Sequence, residues 1–179
     1  MRLETIVNQP VIETERFDLR PLRASDAGLI EMYASDARVA MNTSSIPHPL
    51  PPGTTEAIIA RAQADDRIED FWAMDGSKIG GSELMGVISL VRLELEQSEV
   101  GYWVAPAYWN TGVASAAVEA LLAANPQRAR MTFASVFQDN AASARVLTNC
   151  GFQYLGDAET FCIARGAKVA TWTYSRKAV

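Results

Sequence analysis

The chemistry of this chain gathers around a glycine-bearing turn between a strand-like and a helix-like run. Residues 99–122 read EVGYWVAPAYWNTGVASAAVEALL. Val100 to Val104 is rich in β-branched and aromatic residues and predicts a strand, whereas Ser115 to Leu122 is rich in Ala and Leu and predicts a helix. Between them Gly112 has no Cβ, and Thr111 and Ala114 are small, so a ligand can approach the backbone of Pro106 to Ala114 closely. The first N–H groups of a helix have no internal acceptors and lie at the positive end of its dipole, which suits an anion, above all a phosphate. A βα unit with an ordinary glycine turn reads the same way, so this segment alone leaves ligand binding and plain structure both open.

Other side chains with useful chemistry lie near this turn or in segments that fold toward it. Glu99 directly precedes the GYWV run. Burial against Tyr102 or Trp103 would raise its pKa toward that of a general base, while an exposed edge carboxylate would have no such role. His48, the sole histidine, lies in the proline-rich run SSIPHPLPPG; it titrates in the right range, but a solitary loop histidine is also commonly just solvated. In NAASARVLTNCGF (140–152) Asn140 and Ser143 are one helical turn apart and project from one face. Asn140 is also a good N-cap, which does not exclude a second role.

The elements that must position these groups follow from pattern. Val11 to Thr14 and Phe17 to Arg20 have strand character, the latter alternating apolar and polar. Ser25 or Asp26 can cap a helix running to about Ser35, with Leu29, Ile30 and Tyr33 inward. The prolines between Val39 and Gly53 predict a loop, and Thr54 or Thr55 caps a helix over 56–66. Strands are expected at Phe71 to Met74 and Leu84 to Leu93, then at Met131 to Phe137. A helix from Asn140 stops at Gly151, and antiparallel strands at Phe152 to Gly156, Phe161 to Ile163 and Val169 to Tyr174 close the chain. Residues 1–10 read as an extended lead-in. The order implies a mixed α+β fold whose sheet is mostly antiparallel.

The pairing of GYWV and YWNTGVA with a later NAAS helix ending in Gly-Phe, after an early TERFDLRPLRASD, resembles the GNAT N-acetyltransferase superfamily. Over about 140 residues it is most similar to the RimJ/RimL-like branch of ribosomal-protein N-terminal acetyltransferases. The resemblance implies a GNAT-like twisted sheet, flanked by about four helices and splayed between the strand ending at Val104 and the strand starting near Met131, with acyl-CoA pantetheine in the splay. It implies an acetyl-CoA-dependent N-acetyltransferase working by direct attack of a primary amine, with a protein or peptide N-terminus or a small molecule as acceptor. The backbone of Asn110, Thr111, Gly112, Val113 and Ala114 would then bind the CoA pyrophosphate, and that of Trp103, Val104 and Ala105 the pantetheine and acetyl carbonyl. Asn140 becomes a cofactor or water ligand and Ser143 the residue near the thioester sulfur. Glu99 is the first choice of base, with His48 and Tyr102 on the acceptor side. Two departures stand out: Trp109 replaces the family's usual Gln or Arg, and Leu147 occupies the place where many members carry a tyrosine acid. They motivate an alternative, a non-catalytic acyl-CoA-binding or regulatory module. Trp103 and Trp109 also fit aromatic core packing, which is compatible with their backbone serving a cofactor.

Composition agrees. At 179 residues, 49% hydrophobic and 21% charged, the chain reads as one soluble globular domain over 1–179. No apolar run approaches bilayer length, and acidic residues interrupt the N-terminal segment, so a cytoplasmic location without a membrane partner is expected. The net charge of −5 offers no basic surface for nucleic acid. Cys150 and Cys162 read as small buried hydrophobes, and their spacing gives no metal site. Exposed C-terminal strands leave a homodimer open.

Overall fold

The computed structural model describes residues 9–179, so most of the expected lead-in lies outside the described residues. The elements are β1 (Ile12–Glu13), β2 (Asp18–Pro21), α1 (Ala27–Ala34), α2 (Ala37–Ala40), α3 (Thr54–Gln63), β3 (Glu69–Asp75), β4 (Gly86–Leu93), β5 (Gln97–Val104), α4 (Val113–Ala124), β6 (Met131–Phe137), α5 (Ala141–Asn149), β7 (Gln153–Cys162) and β8 (Ala167–Lys177). The strands form one sheet ordered β1-β2-β3-β4-β5-β6-β8-β7. Every neighbouring pair is antiparallel except β5 and β6, which α4 connects as a crossover.

Each face of the sheet has its own cover. On one face α4 lays Val113, Ala117, Val118 and Leu121 against Val100, Val104 and Ile88, as the apolar stripe of its sequence requires, and Ala144 and Leu147 of α5 join them. On the other face Ile30, Ala34, Val39, Ile46 and Ile59 pack on Ala73 and Val87. Trp103 packs there too, edge-on to Tyr33 with ring centroids 6.5 Å apart.

Several boundaries differ from the sequence reading for local reasons. The expected loop begins later, because Asp36 accepts a hydrogen bond from the Arg38 N–H and so caps the short helix α2. Gly53, left-handed at φ 85°, is the N-cap of α3 in place of a threonine, and the Thr54 hydroxyl donates to the Pro51 carbonyl instead. The two strands expected after Phe152 are one strand, β7, with a register shift between Tyr154 and Gly156. Gly151 does end α5 in the left-handed region, at φ 83°. Cys150 and Cys162 are buried and unpaired, as expected.

Candidate active site in the splay of the sheet

The parallel pair β5–β6 is short. It holds only at Gln97 with Met131, Ser98 with Thr132 and Glu99 with Phe133. Beyond this the strands diverge, so the expected splay between them opens after Glu99, and residues 100–104 form its wall. The ladder fixes which amides face it. The Ala105 N–H donates to the Met85 carbonyl at 2.8 Å, which turns Ala105, and by alternation Trp103, toward β4. The N–H groups of Val100, Tyr102 and Val104 therefore point into the gap. This corrects the expected set: of Trp103, Val104 and Ala105, only Val104 offers its amide to a ligand. The Val104 carbonyl is already taken by the Trp109 indole N–H at 2.7 Å. Close approach of β4 here depends on Gly86, where an added Cβ would stand 2.4 Å from the Trp103 oxygen.

The gap leads to the start of α4. Asn110 and Gly112 adopt left-handed φ of 59° and 80°, which brings the chain round sharply, and residues 109–112 are exposed. The N–H groups of Thr111 to Ser115 have no acceptor among the described residues, so this turn presents a row of free donors. Two cations that sequence reasoning missed stand beside it. Arg16 Nη1 donates to the Thr111 carbonyl at 2.9 Å, and the Arg38 guanidinium lies 5.5 Å from the centroid of the Trp109 ring. Trp109 is 40% exposed, so it is a surface platform and not core.

A cavity of about 390 Å³ occupies the splay, and Glu99, Tyr102, Trp103, Asn140 and Ser143 all line it. Asn140 caps α5 by accepting from the Ser143 N–H at 3.3 Å, which presents both side chains at the helix start. The Ser143 hydroxyl is 2.8 Å from the Tyr102 hydroxyl, and the Tyr102 hydroxyl also reaches the Ser143 carbonyl at 3.2 Å. Burial pushes the Tyr102 phenol up to about 12, against the opposing pull of the Ser143 hydrogen bond, so it stays neutral at physiological pH. A phenol is thus present at Ser143 although position 147 has none: Leu147 is fully buried in the core, and the sheet supplies the ring from the opposite side.

Pairing and alternation put Glu69, Val91 and Glu99 in one row across the other face of the sheet, with Phe71, Ser89 and Gly101 in the next. Ser89 and Gly101 are small and leave room over the sheet, and both rows line the cavity. Glu69 was missed by the sequence reading, although its period-two relation to Phe71 marks it for the same face. It accepts from the Ser89 hydroxyl at 2.8 Å. Burial, and then the charge of Glu69, raise the Glu99 carboxyl above its ordinary value. Residues 42–46 roof the cavity and Arg61 also lines it. The β7–β8 turn straps that roof down: Ile163 N–H donates to the Ser44 carbonyl at 3.1 Å and Arg165 Nε to the Met41 carbonyl at 2.9 Å.

His48 does not reach the cavity. The lining part of the loop ends at Ile46, which anchors in the core, and Leu50 further along packs against the same cluster. His48 is half-buried near Asp36, whose carboxyl is held below its ordinary value chiefly by hydrogen bonds from Arg38.

Comparison with known proteins agrees with this architecture. Residues 16–153 match the acetyltransferase (GNAT) domain family. The chain is similar to the uncharacterized N-acetyltransferase YoaA of Bacillus subtilis, 27% identical over 93% of this chain and 96% of the relative. Among solved structures it shares its fold with Mycobacterium smegmatis RimJ in complex with CoA-disulfide, at a TM-score of 0.79 and 20% identity over 94% of this chain and 88% of that one. The ribosomal-protein-S5-alanine acetyltransferase of Vibrio fischeri superposes with a TM-score of 0.76 and 20% identity, covering 95% and 97% of the two chains. With its splayed sheet, its crossover helix and a family match over most of its length, the chain belongs to the GNAT acetyltransferases, with RimJ/RimL-like proteins among its structural neighbours.

Proposed function

We propose that the protein transfers the acetyl group of acetyl-CoA to a primary amine by direct attack. The observation that carries this reading is the gap that opens after Glu99 and Phe133, continuous with the free amides at the start of α4 and with the Glu99–Ser143 cavity. Bound acetyl-CoA supplies an activated thioester. The donor row from Thr111 to Ser115, with Arg16 beside it, suits a diphosphate and makes good the cation that Trp109 does not provide. The gap-facing amides of Val100, Tyr102 and Val104 suit a pantetheine arm, and one of them is placed to polarise an acyl oxygen.

An alkylamine is mostly protonated near neutrality, so it must lose a proton before or during attack. Glu99 takes that proton, directly or through a water, because its raised pKa brings it nearer the operating range than an exposed carboxylate. Ser143 faces the leaving sulfur. When the Tyr102 phenol donates to Ser143 Oγ, the serine proton is free to turn into the cavity toward a thiolate. This hydroxyl pair, with Arg16 beside the donor row, favours an enzyme over the non-catalytic module that Leu147 and Trp109 motivated. A cytoplasmic location and a homodimer are carried as parts of the same proposal, and sedimentation velocity reads the second directly.

Thiol release measured with acetyl-CoA across small amines and Ala- or Ser-starting peptides tests the reading. Turnover with at least one class is expected. Tight CoA binding without thiol release from any of them would refute it.

A further inference from the structure

Thr171 is a buried hydroxyl without a partner. It is 2% exposed, and its Oγ1 has no hydrogen-bond partner among the described residues. A valine would occupy the same space without leaving a polar atom unpaired, so the fold gains nothing from this hydroxyl. It lines the cavity, as do Ser135 and Thr160 nearby.

Strand register shows which occupant it faces. Thr171 pairs with Phe137, and Phe137 lies on the same side of β6 as Phe133, the partner of Glu99. Thr171 is therefore on the sheet face of Glu69 and Glu99, under the roof formed by residues 42–46. Tyr102 and Ser143 belong to the opposite face, beneath α5, where the route from the start of α4 arrives. On acetyl transfer as proposed above, the ligand on the Glu69–Glu99 face is the amine acceptor. No cation pairs with Glu69 or Glu99 among the described ion pairs, which leaves that end of the cavity for a positive group. A neutral hydroxyl at the other end suits a neutral polar group, and its one O–H donor is matched by an oxygen.

We propose that Thr171 recognises the acceptor by donating a hydrogen bond to a carbonyl or hydroxyl oxygen near the acceptor amine. The acceptor class this defines is an amine with a neighbouring amide or hydroxyl oxygen, as in the first peptide unit of a polypeptide N-terminus. A bare alkylamine or polyamine has no such oxygen.

The test compares wild-type protein with Thr171→Val and Thr171→Ser, using alaninamide and its hydrocarbon counterpart 3-methyl-2-butylamine as probes. Binding is titrated by ligand-observed NMR with CoA present, and KM and kcat are taken from thiol release. Thr171→Val is expected to weaken alaninamide about tenfold in Kd and KM, the loss of about one hydrogen bond. It should leave 3-methyl-2-butylamine, CoA affinity and thermal stability essentially unchanged, and Thr171→Ser should restore alaninamide binding. Equal effects on both probes, a loss confined to CoA, no effect at all, or no wild-type binding of alaninamide at tens of millimolar would each overturn the proposal. Thr171-dependent alaninamide binding without thiol release would support the recognition site while removing the acetyl-transfer reading.

Discussion

As the proposed base, Glu99 trades stability for chemistry. Its carboxyl is raised by burial and by Glu69, so between the ordinary glutamate range and its folded value the folded state holds more protons than the unfolded one. Stability therefore falls as pH rises through that window, and the cost is full above it. Glu99→Gln should raise the melting temperature at pH 7 to 8, and the gain should vanish below about pH 4, where both states are protonated. The same substitution should lower kcat/KM by roughly a hundredfold or more, the ordinary contribution of a positioned base. Calorimetry and steady-state kinetics across pH check both halves; a variant that loses activity and stability together would contradict them. At Tyr102 the expectation is different. Because its phenol titrates only at about 12, Tyr102→Phe should reduce kcat about tenfold, leave CoA binding nearly intact, and change no ionisation below pH 10. An alkaline limb near pH 9 that disappears in this variant would show the phenol ionising in the working range.

Among the elements, β4, β5 and β6 together make the site, and their spacing is the sensitive variable. Of the three near contacts of an added Cβ at Gly86, the two shortest are backbone, the Trp103 oxygen at 2.4 Å and the Val104 Cα at 3.0 Å, so neither can swing aside. Gly86→Ala should cost about 1–3 kcal/mol by overpacking, read from urea denaturation. It should also weaken CoA binding, because the displaced strand is the one whose Tyr102 and Val104 amides face the gap. Gly101 in the same strand has room, with its nearest neighbour Ser89 Oγ at 3.5 Å, so Gly101→Ala should fold normally and narrow only the acceptor side of the cavity. Elements of this kind were legible in the sequence where period and caps agree: β6 was expected over its observed span, and Asn140 and Gly151 bound α5 as read. Short α2 was not legible, because it is a single four-residue turn whose second half falls in the stretch from Val39 to Gly53 that its later prolines mark as loop.

At the scale of the molecule, the covering helices are tied to the sheet by a buried ionic cluster remote from the cavity. Arg20 donates to both oxygens of Asp26, at 2.7 and 3.0 Å, and to Asp75 at 2.7 Å, and all three residues are nearly inaccessible. Burial alone would raise the Asp75 carboxyl, but hydrogen bonds from Ser77 and Arg20 outweigh it and hold it below its ordinary value. A depressed carboxylate stabilises the fold above the ordinary range near pH 4 and loses that contribution as pH falls through the depressed value, so acid unfolding should begin below about pH 4. Arg20→Met, which strands two buried carboxylates, should cost about 3–5 kcal/mol in chemical denaturation and leave KM unchanged in the fraction that remains folded.

The sequence by itself determined the family, the order of strands and helices, the turn at Gly112 and the pairing of Asn140 with Ser143, since each depends on contacts within a few residues or on a local pattern of side chains. Which amides face the gap, where β5 and β6 part, and how Tyr102 meets Ser143 were decided only by the tertiary structure. So were the place of Arg16 beside the α4 turn and the presence of Glu69 and Thr171, but not His48, in the cavity lining. These depend on sheet register and on packing between segments far apart in the chain, and a register shift of one residue would turn Glu69, Tyr102 and Thr171 to the other face of the sheet.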